Sequence, residues 1–338
     1  MGPLIAPVVE ELGWHPVEDA GAAGVARRVA VEAAQRLGFE PQRLGELTIV
    51  VTEMASNLYK HADRGRIGIR CLRDGGLGAV ELVAIDEGPG MADVVLSAQD
   101  GHSTAGTLGI GLGAIARLSN RADGYSRPGR GTVLTAQLWP GAATPAQVAA
   151  EGLSRPLTGE RVCGDRFAVR PHDDGLLLMV ADGLGHGPLA AAAAAAAADV
   201  FLASSLTAPA AIVEHLHKTI SYTRGAAVSV ARLAGTAVQF AGLGNVAGAI
   251  AWPNGDRRGM VSMPGIVGHQ MRQVREFEYQ MDADAVLIMH SDGVSERWNL
   301  GNYPGLPRRA PLTVAATLLR DSGQRRDDAC VLVAKASL

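Results

Sequence analysis

This chain of 338 residues is short of cysteine, of net charge and of long apolar runs, and each shortage removes a class of function. Its three cysteines, Cys71, Cys163 and Cys330, lie far apart and none belongs to a C-x-x-C pair. That argues against a zinc knuckle or a disulfide framework and suits a reducing cytosol. A formal net charge of -3 gives no electrostatic case for nucleic acid or for an anionic membrane. Met1 to Val9 is apolar but contains no basic n-region, and Glu10 and Glu11 close it, so no signal peptide is expected. The alanine run Ala190 to Ala198 falls well short of the ~20 apolar residues a membrane helix needs. It reads instead as a tightly packed helix made of the best helix former. No G-x-x-x-x-G-K-[ST] is present, so the chain is not a P-loop protein. There is no internal repeat.

The length fits two domains, each able to bury its own core. Helical spacing runs from Ala22 to Leu37, with Val25, Val29, Ala33 and Leu37 on one stripe, and from Pro41 to His61, with Leu44, Leu47, Val51, Met54 and Leu58 inward. Arg66–Leu72 and Ala79–Asp86 read as strands around the turn Asp74-Gly75-Gly76. Leu112–Ser119 reads as a helix and Thr132–Trp139 as a closing strand. Residues 140–156, rich in Ala, Gly and Pro, carry the boundary. The expected division is a first domain over 1–140, a linker over 141–155 and a second domain over 156–338. In the second, strands are expected at Arg166–Val169, Leu176–Ala181, Ala227–Leu233, Val238–Leu243, Ala247–Trp252, Ala285–His290 and Cys330–Ala334. Helices are expected at Leu189–Ser204, Pro209–Thr223 and Pro311–Arg320.

Two sets of motifs follow in order. In the first half, Glu53 and Asn57 are four apart on a helix and so share a face. An amide oxygen there can bind Mg²⁺, and a carboxylate can take the proton of an attacking hydroxyl. Asp86 ends an apolar strand before Gly88 and Gly90. Its carboxylate can accept from an exocyclic amine such as that of adenine, and the glycines let the backbone approach the base. A loop with Ser103 and Thr104 leads through Gly109, Gly111 and Gly113 into a helix, the usual arrangement for holding phosphates on backbone N–H groups.

Helix with Glu and Asn, strand ending in D-x-G-x-G, glycine-rich turn and Gly131-Thr132 on a closing strand together resemble the GHKL (Bergerat-fold) ATPases and kinases over about residues 20–140. The stretch GHSTAGTLGIGLGAIARL resembles most the small serine switch kinases that act on STAS-domain proteins of stressosome and anti-sigma pathways. The resemblance implies ATP with Mg²⁺ held by Asn57, Glu53 as the base and Asp86 as the adenine contact. It has Gly88 and Gly90 shape the base pocket, Gly109, Gly111 and Gly113 hold lid and phosphates, and Thr132 support the adenine. A sensor histidine kinase fits poorly, because about 20 residues of loose tail before the fold are too few for a hairpin of long helices.

In the second half Asp165, Asp182, Asp292 and the pair Asp327-Asp328 each stand at a strand end. Gathered carboxylates repel unless a cation joins them, and an oxygen-only set favours Mg²⁺ or Mn²⁺ over zinc. Two such ions can share a water and clamp a phosphate for in-line attack. The ordered motifs Gly164-Asp165, Ala181-Asp182-Gly183-Leu184-Gly185-His186-Gly187, Ser291-Asp292-Gly293 and Asp327-Asp328 resemble the PP2C-like phosphatases of the SpoIIE type over roughly residues 150–338. By that resemblance Asp182 bridges two metals, Gly183 lends its carbonyl, Asp292 and Asp327 are further ligands, and Asp165 is a ligand or lies just behind one. His186 belongs to loop structure. Two positions depart from the pattern: Cys163 stands where many members have a glycine, and Cys330 where Ser or Thr is usual. Both cysteines are expected to be buried small residues.

The fold expected is α+β in two domains, a GHKL α/β sandwich with a mixed sheet covered by helices and a PP2C-like β-sandwich flanked by helices. The function expected is a cytoplasmic regulator that phosphorylates a STAS-domain protein with the first domain and dephosphorylates phosphoserine or phosphothreonine with the second. Two other readings stay open: a phosphatase gated by a non-catalytic ATP sensor, and a non-enzymatic module that binds a sigma factor or a STAS protein. Both resembled families often form homodimers, and the sequence leaves the oligomeric state open.

Overall fold

Asp19 starts the first helix. Its carboxylate accepts the Ala22 N–H at 2.7 Å, satisfying one of the donors a helix leaves open at its beginning, and α1 spans Ala20–Arg36. Pro41 opens α2, Pro41–His61, where its missing N–H would have had no partner in the helix. The computed structural model describes residues 8–74, 76–92, 110–141 and 149–336. The chain falls into two compact units that part between Pro145 and Ala146.

In the first unit α1 buries Ala26, Ala30, Ala33 and Ala34 in the core that Leu47, Val50, Val51, Met54 and Leu58 of α2 also fill. The stripe expected through Val25 is therefore displaced by one position, and Val25 is 41% exposed. Small residues let the helix sit close to its neighbours, so the alanines carry the buried face. The sheet order is β1 (Val8–Pro16), β2 (Arg66–Asp74), β3 (Leu77–Ile85), β5 (Thr132–Leu138), β4 (Arg121–Ser126). Every described pairing is antiparallel, not mixed as expected, since β2–β3 and β4–β5 are hairpins and β1 and β5 each run against their neighbours. Ile67 and Ile69 of β2, Leu82 and Ala84 of β3, and Ala136 and Leu138 of β5 join the helix core. Alternate residues point to the other face. There Arg70 pairs with Glu81 and Gln137 donates to Glu81 at 2.5 Å. α3, Ile110–Leu118, adds Ile115 to the same core.

The segment expected to be a loose N-terminal tail contains β1, paired with β2 along Val8–Pro16. Its register shifts between Glu11 and Gly13, so the alternation that would mark a strand is broken. Residues 150–155, expected within the linker, form β6 (Ala150–Arg155), an edge strand paired with β18 (Ala329–Lys335).

The second unit is a sandwich of two sheets. One has the order β13 (Ser262–Met263), β10 (Ala237–Leu243), β9 (Ala226–Ala234), β8 (Gly175–Gly183), β7 (Asp165–His172), with β16 (Phe277–Gln280) also on β10. The other runs β12 (Arg257–Gly259), β11 (Ala247–Ala251), β17 (Val286–His290), β18, β6. Leu176, Leu178 and Val180 of β8 meet Phe240, Ile250, Leu287, Met289 and Leu332 between the sheets. The opposite side of β8, Leu177, Met179 and Ala181, packs on α4 (Pro188–Ala203) and α5 (Pro209–Thr219). With both faces covered, β8 has an unbroken apolar run instead of an alternating one. The alanine run lies in α4, where Ala190, Ala193, Ala194, Ala197 and Ala198 are buried. α6 (Pro311–Ser322) covers β18 and β6. Short strands β14 (Gly265–Ile266) and β15 (Gln270–Met271) form a small hairpin. Among the described residues no helix is long and apolar enough to cross a membrane. All three cysteines are free. Cys71 and Cys330 are buried and Cys163 only partly so, a correction to the expectation for Cys163.

Candidate active sites

The end of α2 closes on the loop after β3. A Cβ on Gly88 would stand 2.9 Å from the Ala62 Cα and 3.1 Å from the His61 carbonyl, so a side chain there would push the loop off the helix. Asp86 is buried at the head of that loop. Its carboxylate accepts the Gly88 N–H at 2.8 Å, and its own N–H donates to the Thr132 carbonyl at 3.0 Å. Gly90 and Gly131 have φ of +66° and +74°. A Cβ on Gly90 would run into the Arg127 carbonyl and one on Gly131 into the Asp86 carbonyl. Ser126 ties the group together: its hydroxyl accepts the Met91 N–H at 2.7 Å and lies 2.9 Å from the Thr132 hydroxyl. Asp86, Gly88, Gly90 and Thr132 thus form one cluster.

Glu53 and Asn57 lie further back on α2, both partly exposed. The Glu53 carboxylate reaches the first turn of α3, where a Cβ on Gly111 would be only 2.5 Å from its Oε2. Gly111 and Gly113 lie inside α3 and not in a turn before it. Ser103, Thr104 and Gly109 lie outside the described residues. Ser126 was missed in the sequence, because Arg121–Ser126 has neither alternation nor an apolar run.

In the second unit the carboxylates meet at one end of the sandwich. Asp165 and Asp182 face each other across β7 and β8. Asp165 is buried, and burial lifts its carboxyl to about 7 against an opposing hydrogen bond from Ser291, with Asp328, Asp292 and Asp327 adding repulsion. Asp182 is pushed up to about 9, by burial first and then by Asp165 and Asp292. Burial and Asp292 also raise Asp327. The Ser291 hydroxyl is itself fixed, accepting the Cys330 N–H at 3.0 Å. Asn245 donates to the Asp292 carboxylate at 2.5 Å, and Gln324 to its carbonyl at 2.9 Å. Gly183 sits where a Cβ would strike the Ala190 carbonyl at the start of α4. His186 is exposed and pairs with Glu160 at 3.1 Å.

Asp328 is the residue the motif reading left without a role. Its Oδ1 accepts the Leu157 N–H at 2.7 Å. Its Oδ2 and the Asp165 Oδ2 are buried with no hydrogen-bond partner. Among the described residues no three acidic, histidine or cysteine side chains converge as a finished ligand set. Instead Asp182 and Asp292 share a hydrogen bond. Orphaned buried oxygens and carboxyls lifted by burial and then by one another are what a divalent cation at this point would relieve. The residues therefore fit a hard, oxygen-seeking metal.

Comparison with known proteins bears on both halves. Residues 17–138 match the histidine kinase-like ATPase domain model. Over 114 residues the chain is 36% identical to the serine/threonine-protein kinase RsbT of Bacillus subtilis, covering 34% of this chain and 86% of RsbT. The chain belongs to the RsbT family of histidine kinase-like ATPase domains. Behind that RsbT-like unit, residues 172–337 match the stage II sporulation protein E (SpoIIE) model. Over 139 residues the chain is 27% identical to the phosphoserine phosphatase RsbX of Bacillus subtilis, covering 40% of this chain and 70% of RsbX. A solved structure from work on the bacterial stressosome is 31% identical, with a TM-score of 0.48, covering 55% of this chain and 98% of its own. The RsbT-like unit and the SpoIIE-type unit thus stand in one chain, a kinase-like part and a phosphatase-like part.

Proposed function

We propose that the chain is a two-way switch on a single kind of protein partner. The RsbT-like unit phosphorylates a serine or threonine of a STAS-domain protein, and the SpoIIE-type unit removes that phosphate. The observation that carries the reading is the gathering of Asp165, Asp182, Asp292 and Asp327 at one end of a sandwich, with Asp165 and Asp182 lifted to about 7 and about 9. Carboxylates are brought together at such cost where a cation is to be held. The likeness to a serine/threonine kinase and to a phosphoserine phosphatase supplies the two opposed directions.

In the first unit Asp86 would accept from the adenine amine, beside Thr132 and the glycines that leave room for the ring. Asn57 would offer its amide oxygen to Mg²⁺. Glu53 would take the proton of the acceptor hydroxyl as its oxygen bonds to the γ-phosphorus and the bond to ADP breaks. Gly111 leaves room for that carboxylate against α3. In the second unit Asp165, Asp182, Asp292, Asp327 and the Gly183 carbonyl would hold two Mn²⁺ or Mg²⁺ ions. Bound metals of this kind lower the pKa of a water and neutralise phosphoryl oxygens. In the hydrolysis the water oxygen would bond to phosphorus as the bond to the serine oxygen breaks, and a proton given up by that water would end on the departing serine oxygen. Asn245 and Ser291 keep Asp292 and Asp165 aimed while this happens. The setting is cytosolic.

The test is a phosphoserine peptide incubated with the protein and Mn²⁺. Phosphate release should stop on adding EDTA and in Asp182→Ala, and should continue in Asn57→Ala. Release that survives Asp182→Ala would remove the cluster from the reaction.

A further inference from the structure

Outside the carboxylates, the mouth of the second site holds a cation that none of the steps above uses. Arg224 follows α5 in the turn Thr223–Gly225, and this turn is fixed from several sides. The Thr223 hydroxyl donates to the Ile220 carbonyl at 2.7 Å and accepts the Gly225 N–H at 3.0 Å. The His269 ring meets the Thr223 carbonyl at 3.1 Å. Gly225 has φ of +78°, and a Cβ there would stand 2.6 Å from the Val267 carbonyl. The Leu184 N–H donates to the Gly225 carbonyl at 3.0 Å, which fastens the turn to the loop that begins at Asp182. The next pairs along β8 and β9 are Gly183 with Ala226 and Asp182 with Ala227.

From this turn the Arg224 guanidinium lies along Gly185, its Nη1 3.4 Å from where a Cβ would be. Gly185 has no side chain to hold it away. Arg224 is exposed, and among the described residues its side chain makes no hydrogen bond and no ion pair. Arg232 and Arg257 of the same unit are paired with Asp174 and Glu296. A guanidinium offers a planar fork of donors that matches two oxygens of a phosphoryl group. Held on a turn that is fastened to the loop after the metal-site aspartate, and unpaired among the described residues, it has an anion still to meet.

We propose that Arg224 is the substrate contact that takes the phosphoryl oxygens of the phosphoserine or phosphothreonine and turns the phosphorus toward the carboxylate cluster. The assignment rests on the phosphatase reading of this unit. It adds no bond-making step; Arg224 binds and orients. Leu184, half exposed on the same loop, gives the mouth an apolar shoulder beside the cation.

The experiment uses the full chain with Mn²⁺ and p-nitrophenyl phosphate, with inorganic phosphate as competing product. Wild type, Arg224→Ala and Arg224→Lys are compared. Loss of a charge-assisted contact should raise both KM and the phosphate inhibition constant about tenfold or more in Arg224→Ala. Arg224→Lys should recover part of that, and the Mn²⁺ concentration for half activity should stay the same in all three. Equal KM and equal phosphate inhibition in all three proteins would overturn the assignment while leaving the phosphatase reading intact. If wild type shows no metal-dependent hydrolysis, the phosphatase reading itself fails and the role of Arg224 falls with it.

Discussion

Asp182→Asn should make the metal-free protein more stable and metal-blind at once. Asp182 titrates near 3.8 when free and is lifted to about 9 in the fold. The folded state therefore holds a proton that the unfolded chain gives up between those two values. Stability from this group is complete below about 4 and drains away as pH rises toward 9. At pH 7 about three units of that window have been crossed, and each unit is about 1.4 kcal/mol, so the group costs on the order of 4 kcal/mol. An amide at this position carries no charge and can donate to Asp292. For a unit of this size each kcal/mol moves Tm by about 2–4 °C, so even half the cost removed should raise Tm by at least about 4 °C. Calorimetry of the full chain in EDTA at pH 7 reads this, with the second unit's transition assigned by its response to a core variant such as Phe201→Ala. Mn²⁺ at about 100 times its dissociation constant should stabilise wild type by about 2.7 kcal/mol and leave Asp182→Asn unmoved. A metal-free Asp182→Asn that melts lower than wild type, or one that still gains from Mn²⁺, would refute the reasoning.

Three further outcomes follow from the geometry. Gly131→Ala places a Cβ against the Asp86 carbonyl at a positive φ; it should lose about 2–4 kcal/mol of stability in the first unit and weaken ATP binding, read by titration with a fluorescent ATP analogue, with phosphatase activity intact. Gly183→Ala drives a methyl into the start of α4; it should cost about 1–3 kcal/mol and shift Mn²⁺ activation to higher concentration. Phe201→Ala empties a fully buried position under β8 and should cost about 3–5 kcal/mol by chemical denaturation, with no change in Mn²⁺ requirement at temperatures where the unit stays folded.

Much of the site was legible because its residues sit where local pattern is strongest. Asp86 and Asp182 each follow an apolar run directly, Asp292 follows one after a single serine, and α2 has an apolar face regular enough to place Glu53 and Asn57 on the opposite side. What escaped the sequence was structure supplied by a partner. β1 has a register shift between Glu11 and Gly13 that breaks its alternation, yet the ladder with β2 holds it. β4 and β6 are edge strands whose side chains show no period, and they exist because β5 and β18 offer unpaired backbone groups. The helix expected to run to Thr223 stops at Thr219, and the freed turn is the one that carries Arg224. Asp328 looked like the second half of a motif. Only its burial and its orphaned Oδ2 show that it faces the cluster.

The most direct test of a two-way switch follows phosphate on a co-encoded STAS-domain protein by mass spectrometry, with ATP, Mg²⁺ and Mn²⁺ present, for wild type, Asn57→Ala and Asp182→Ala. The account predicts that Asp182→Ala accumulates the phosphorylated partner, that Asn57→Ala makes none, and that wild type settles between them. The same phosphate level with all three proteins would contradict it.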